Sequence, residues 1–299
     1  MVSQRLPQLP AVLKQRLLVE FAGLRQACPQ GVYVSLTPGD ATLWSGVIFV
    51  RKGPYAPAIL RFHISFPPTY PSHPPLITFS SDIFHPLVTP LTTYMYTTSA
   101  SPEGTVSATD AERLPPGGFA LRDGFPEWFD RSEASQIGRN IATYEVLRYI
   151  RTTFDDAEVL DKVPLAAAGN PGAWHAWRCH RVKGGIVYPS EEKDAVEGES
   201  DDNASVSSRG VPDGYQRLAG GSTAPTASRR PGEWNWDGVW EVRVKKGTEG
   251  SLAEGTLFGR EAGDDLIRFL NLDADQCEAV KENLRRSLET VAPQRRGVV

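Results

Sequence analysis

The run WSGVIFVRKGPYAPAILRFHISFPPTYPSHPPLITFSSDIFHP, residues 44–86, decides the fold. β-branched and aromatic residues cluster in 43–50 and 58–66, and Leu60, Phe62, Ile64 and Phe66 recur at every second position, the period of a half-buried strand. Lys52, Gly53 and Pro54 between them supply turn chemistry, so the two runs read as an antiparallel hairpin. Pro67, Pro68, Pro71, Pro74 and Pro75 then hold the backbone extended and forbid an inserted helix. Residues 76–79 return as a further short strand.

Outward from this run, 31–36 alternates Val32, Val34 and Leu36 as the first strand of a meander. Leu13, Leu17, Phe21 and Leu24 recur at helical spacing behind Pro10, which predicts a helix over 10–27 whose stripe is core rather than interface. On the other side, Ile137, Ile141, Tyr144, Leu147, Ile150 and Phe154 predict a long helix over 135–154. Asn170 and Pro171 open another, with Trp174 and Trp177 on one face.

Trp44 and Gly46, the G-P-Y of Gly53, Pro54 and Tyr55, the Y-P-x-x-P-P of Tyr70, Pro71, Pro74 and Pro75, and the pair His85 and Pro86 form an ordered set. In order and spacing this set resembles the core of ubiquitin-conjugating enzymes. The resemblance implies an α+β, UBC-like fold: an N-terminal helix, a four-stranded antiparallel meander and C-terminal helices. It also implies a cysteine some ten residues beyond the histidine, carrying ubiquitin as a thioester, and an asparagine after His-Pro whose amide stabilises an oxyanion. Here the cysteine's neighbourhood reads Thr93, Tyr94, Met95, Tyr96, and Leu87 stands for the asparagine. No cysteine lies between Cys28 and Cys179.

The further run Phe84, His85, Pro86, Leu87, Val88, with Phe125, Pro126 and Trp128 beyond it, resembles the fused-toes homologue family (FTS, also AKTIP), variants without catalysis. That resemblance implies an adaptor, not an enzyme, whose partners are a Hook-type coiled-coil protein and an FHIP-type subunit linking vesicles to dynein. Its expected place is the cytoplasm, at the periphery of early endosomes or microtubule-associated vesicles. Two rival readings keep the fold: a ubiquitin-binding variant that assists conjugation, and an active enzyme with Cys179 as displaced nucleophile. Arg178 and His180 flank Cys179, but adjacency in sequence does not establish the contact that lowers a thiol pKa.

His85 and Pro86 read as structural, with the imidazole bonding backbone. His63 and His73 have no companions at ligand spacing, so neither metal nor cofactor is expected. Residues 89–123 read as a long irregular loop. Candidate partner anchors are Tyr94, Met95 and Tyr96, which either form a patch or cover the core; Phe119, Phe125 and Trp128 in a turn-rich stretch, suited to docking either onto the domain or onto a partner; and Trp234, Trp236 and Trp240, read as a short strand or extended clip.

Three units are expected. Residues 1–183 form the UBC-like domain. Residues 184–232, acidic over 191–202 and then rich in Ser, Gly, Ala and Pro, form a disordered linker. Residues 233–299 hold too few apolar residues for a core of their own and so pack on the domain or on a partner. They end in a helix over 274–288, capped by Asp273 with Gln276 and lined by Cys277, Val280, Leu284 and Leu288.

Composition is that of a globular protein, 40% hydrophobic and 23% charged, with net charge −4 and pI near 5.8. That balance offers no basic face for nucleic acid. No apolar run approaches the roughly 20 residues that cross a bilayer, and Gln4, Arg5, Lys14 and Arg16 interrupt any leader-like start. Three dispersed cysteines suggest reduced thiols rather than a disulfide framework.

Overall fold

A computed structural model describes residues 10–92, 95–96, 113–129, 141–188, 234–258 and 267–291. Helix α1 (Pro10–Ala27) buries Leu13, Leu17 and Leu24, the stripe read from the sequence. Strands β1 (Val32–Thr37), β2 (Asp40–Phe49), β3 (Ile59–Ser65) and β4 (Leu76–Phe79) form one antiparallel sheet in sequential order. The register pairs Trp44 with Ile64, Gly46 with Phe62 and Ile48 with Leu60. These residues all point to one face, and all but the glycine carry large buried side chains. Gly46 is required there, because a β-carbon at its position would lie 2.3 Å from the Phe62 ring. Phe21 of α1 meets Trp44 edge-on at 5.4 Å, which seats the helix on this face.

The proline-rich passage is bolted down by aromatic side chains. The buried Tyr70 hydroxyl donates to Glu20 of α1 at 2.9 Å, and the Trp128 indole donates to the Pro71 carbonyl at 2.9 Å. Glu20 also accepts from the backbone N–H and the hydroxyl of Thr143, at 3.0 and 2.6 Å. Thr143 opens helix α2 (Thr143–Asp155), after Ile141 and an extended Ala142. The described helix therefore starts eight residues after the expected position 135; residues 130–140 lie outside the described set. The start at Thr143 is fixed by a carboxylate from another helix, a cap that no local window contains.

The expected irregular loop is in part regular. Met95–Tyr96 (β5) pairs with Arg113–Leu114 (β6), while 93–94 and 97–112 lie outside the described residues. From Gly117 to Ala120 the chain runs beside β4: Phe79 N donates to Gly117 O at 2.7 Å and Phe119 N to Ile77 O at 2.9 Å. A short 3-10 turn, Pro126–Trp128, follows.

Helix α3 (Ala157–Lys162) is capped by Asp156, and α4 (Pro171–Lys183) by Asn170, whose side chain accepts from Ala173 N at 3.1 Å. Just beyond α4, within the stretch expected to be linker, Tyr188 donates to Asp161 at 2.8 Å. Asp161 also receives Arg181 and the Trp177 indole. Residues 189–233, the bulk of that stretch, lie outside the described residues.

The tryptophan-rich segment is neither strand nor extended clip. Trp240 is the second residue of helix α5 (Val239–Leu252), which buries Trp240, Val244, Thr248 and Ser251 along one face. The apparent alternation from Trp234 to Trp236 ends there; the step of four to Trp240 and Val244 belongs to a helix. Trp240 packs 4.7 Å from Trp177 and 5.6 Å from Tyr55, and with Val244 it joins the same core as the sheet. Ser251 accepts from Ile59 N of β3 at 3.1 Å. After α6 (Glu254–Phe258), Phe269 lies against the opposite face of the sheet, 4.9 Å beneath the Arg61 guanidinium and 5.9 Å from Phe49. Helix α7 (Ala274–Val291) begins at the expected reciprocal cap: Gln276 N donates to Asp273 Oδ1 at 2.8 Å, and Asp273 N to Gln276 Oε1 at 3.3 Å.

Candidate functional site

The turn from Phe84 to Thr89 sits where the sheet, α2 and the segment 117–120 converge. His85 is fully buried, 4.3 Å from the Phe154 ring and 5.0 Å from Tyr55. Its Nδ1 lies 3.0 Å from Leu87 N, which can only donate, so Nδ1 accepts and the ring proton resides on Nε2. Nε2 in turn donates to the Thr153 carbonyl at 3.1 Å. Burial pushes the imidazole pKa down to about 3, with the Thr153 bond pulling the other way. The ring is held neutral with both nitrogens engaged.

The rest of the turn is fixed in the same manner. Asn170 N donates to Pro86 O at 2.9 Å, Ala120 N to Leu87 O at 2.8 Å, and Tyr55 OH to Phe84 O at 3.1 Å. The Leu87 side chain is fully buried in the core and offers no donor to a developing oxyanion. At Gly169 a β-carbon would meet Leu87 O at 2.8 Å, so the chain entering α4 approaches the turn as closely as only glycine allows.

Met95 is placed by its backbone in β5, opposite Leu114; Tyr94 and the side chains of Met95 and Tyr96 lie outside the described residues. Cys179 is half-buried on α4. Arg178 lies 3.8 Å over the Tyr188 ring and 4.8 Å over Trp174, and His180 pairs with Glu241 of α5 at 2.7 Å. Both flanking residues thus have other partners. Cys28 donates its thiol to Val32 O at 3.2 Å, and burial raises its pKa. Among the described residues no group of three or more His, Cys, Asp or Glu could hold a metal ion.

The expected partner anchors divide. Phe119, Phe125 and Trp240 are inside the core, where aromatic neighbours hold them. Trp128 is partly buried against Pro71, and Trp236 is half-buried, stacked on His175 at 6.0 Å. Trp234 remains 52% exposed. Turn-rich surroundings suited Phe119 and Phe125 to docking on the domain or on a partner; the bonds of 117–120 to β4 turn Phe119 inward, and Phe125 packs on Trp128 and Tyr149. Among the described residues, other exposed apolar side chains include Val12 and Val19 on the outer side of α1, Val242 on α5, Leu270 before α7, and Val280 and Leu284 on α7. The α1 pair was visible as a second apolar row seven residues apart, beside the stripe assigned to the core.

Comparison with known proteins agrees with this architecture. Residues 16–93 match the ubiquitin-conjugating enzyme family. An AKT-interacting protein of Salmo salar is 38% identical over 161 residues, 53% of this chain and 43% of that protein. A crossbronx homologue of Anopheles gambiae is 42% identical over 85 residues, 27% of this chain and 37% of the relative. For the AKT-interacting protein of Danio rerio the values are 38% over 84 residues, 27% and 28%. The chain spans less than half the length of these relatives. With its N-terminal helix, sequential four-stranded meander and His-Pro turn, the chain carries a UBC-like α+β domain, similar over that region to the AKT-interacting and crossbronx proteins.

Proposed function

We propose that the chain is a non-catalytic member of the conjugating-enzyme-like proteins, acting as the FTS-type adaptor between a Hook-type coiled-coil protein and an FHIP-type subunit. Its role is to join vesicles or early endosomes to dynein transport, from the cytoplasmic side and without inserting in the bilayer. The supporting observation is the His85 turn: a neutral, fully buried imidazole with both nitrogens engaged, beside Leu87 in place of an amide donor. A turn built this way serves as a structural rivet and supplies neither base nor oxyanion donor. The names of the AKT-interacting relatives, which denote protein binding, support the same reading.

The test uses the purified full chain in two assays. With a Hook-type C-terminal coiled coil and an FHIP-type subunit it co-elutes as one complex; elution apart from both refutes the adaptor role. With activating enzyme, ATP and ubiquitin it forms no reducible adduct. An adduct lost in Cys179→Ser would establish catalysis instead, and saturable binding of free labelled ubiquitin would favour the conjugation-assisting reading.

A further inference from the structure

Helix α5 meets the rest of the molecule as an amphipathic helix meets a groove. Its buried face is Trp240, Val244, Thr248 and Ser251, at steps of four, four and three, and Trp240 enters among Tyr55, Phe84 and Trp177. Two turns after Trp240, a β-carbon at Gly247 would lie 3.0 Å from Ile83 Cδ1 and 3.2 Å from Asp82 O. The helix backbone therefore rests directly on the segment before the His-Pro turn. At Gly250 a β-carbon would meet nothing within 4 Å. Ser251 then accepts from Ile59 N at 3.1 Å. A helix of this length with two glycines is marginal in water by itself, so its helicity depends on the groove.

The contacts at either end of residues 189–233, which lie outside the described set, do not depend on the connection between them. Tyr188 lies with its ring 3.8 Å beneath Arg178, and Trp236 stacks on His175 at 6.0 Å. His180 with Glu241, and Lys183 with Asp237, fasten the same two helices. His175 and Arg178 are about one turn apart on α4, roughly 5 Å along its axis. The points where the chain leaves α4 and returns to it are thus already neighbours. A connection between ends held in this way sets a local concentration, which varies only slowly with its length.

We propose that residues 234–258 are recognised by this groove in their own right, as a separate helix would be, and stay bound when the chain between 188 and 234 is cut. The recognition elements are the Trp240 indole and the bare backbone at Gly247. This goes beyond the adaptor reading and does not depend on it. The experiment uses the full chain with a site-specific protease sequence inserted after Ser208, cut once the protein has folded. The two pieces are expected to co-elute at native size at micromolar concentration. Gly247→Leu should weaken their association by roughly tenfold or more, through overpacking against Ile83 and the Asp82 carbonyl. Gly250→Leu, in open space, should stay within about threefold. Both substitutions raise helix propensity alike, so an effect confined to α5 itself would move them together. Weakening by Gly247→Leu alone, with displacement of the C-terminal piece by an added peptide of residues 234–258, establishes the groove and its ligand. Separation of the unsubstituted pieces at micromolar concentration overturns the proposal, and so does an equal response to the two substitutions.

Discussion

Replacing His85 by asparagine tests whether the His-Pro turn is a neutral structural rivet. In His85→Asn the side-chain oxygen can still accept from Leu87 N, but the bond to Thr153 O is lost, with the ring contact to Phe154 at 4.3 Å. One buried hydrogen bond at about 1 kcal/mol and the lost aromatic burial at about 2 put the cost near ~3 kcal/mol at pH 7.5. The pH dependence is more discriminating. The folded-state pKa of about 3 lies below the ordinary 6.5, so the neutral form is the one the fold accepts. Above pH 6.5 neither state binds the proton and the contribution is complete; between 6.5 and 3 only the unfolded chain binds it. Stability then falls with decreasing pH by about 1.4 kcal/mol per unit, reaching about 2 kcal/mol at pH 5. The variant lacks this loss. The stability gap between the two proteins should therefore shrink from about 3 kcal/mol at pH 7.5 to about 1 at pH 5. Urea unfolding followed by tryptophan fluorescence at pH 7.5, 6 and 5 measures it. A gap that does not change with pH would refute the account of His85 as buried and neutral.

Two further predictions concern joints the tertiary structure makes. Glu20→Ala removes the acceptor of Tyr70 OH, Thr143 N and Thr143 Oγ1 together, and should cost about 2–4 kcal/mol in chemical unfolding; Glu20→Ala with an unchanged midpoint would show that α2 does not depend on this cap. Trp240→Ala empties a site lined by Tyr55, Phe84 and Trp177 and should cost about 3–5 kcal/mol, with faster proteolysis at Lys245 and Lys246. Trp234→Ala, at an exposed position, should stay within about 0.5 kcal/mol, and equal losses for both variants would contradict the assignment of Trp240 alone to the core.

Residue pattern alone determined the meander, because strand burial repeats with period two and the turns at 52–54 and 67–75 use residues whose backbone limits are local. It also determined helix α1 and the cap of α7, since a stripe and an Asp-to-Gln spacing of three are contained within one segment. Leu87 directly after His85 and Pro86, and the lack of cysteine between Cys28 and Cys179, are likewise written in the chain. What only the tertiary structure decided depends on groups far apart in sequence. The start of α2 is set by Glu20, 123 positions away from Thr143. The inward turn of Phe119 depends on the backbone of β4, and the helical fate of Trp240 depends on the pocket between Trp177 and Tyr55. An aromatic side chain in a turn-rich stretch has the same local pattern whether it faces a core or a partner, and only the surfaces brought against it distinguish the two.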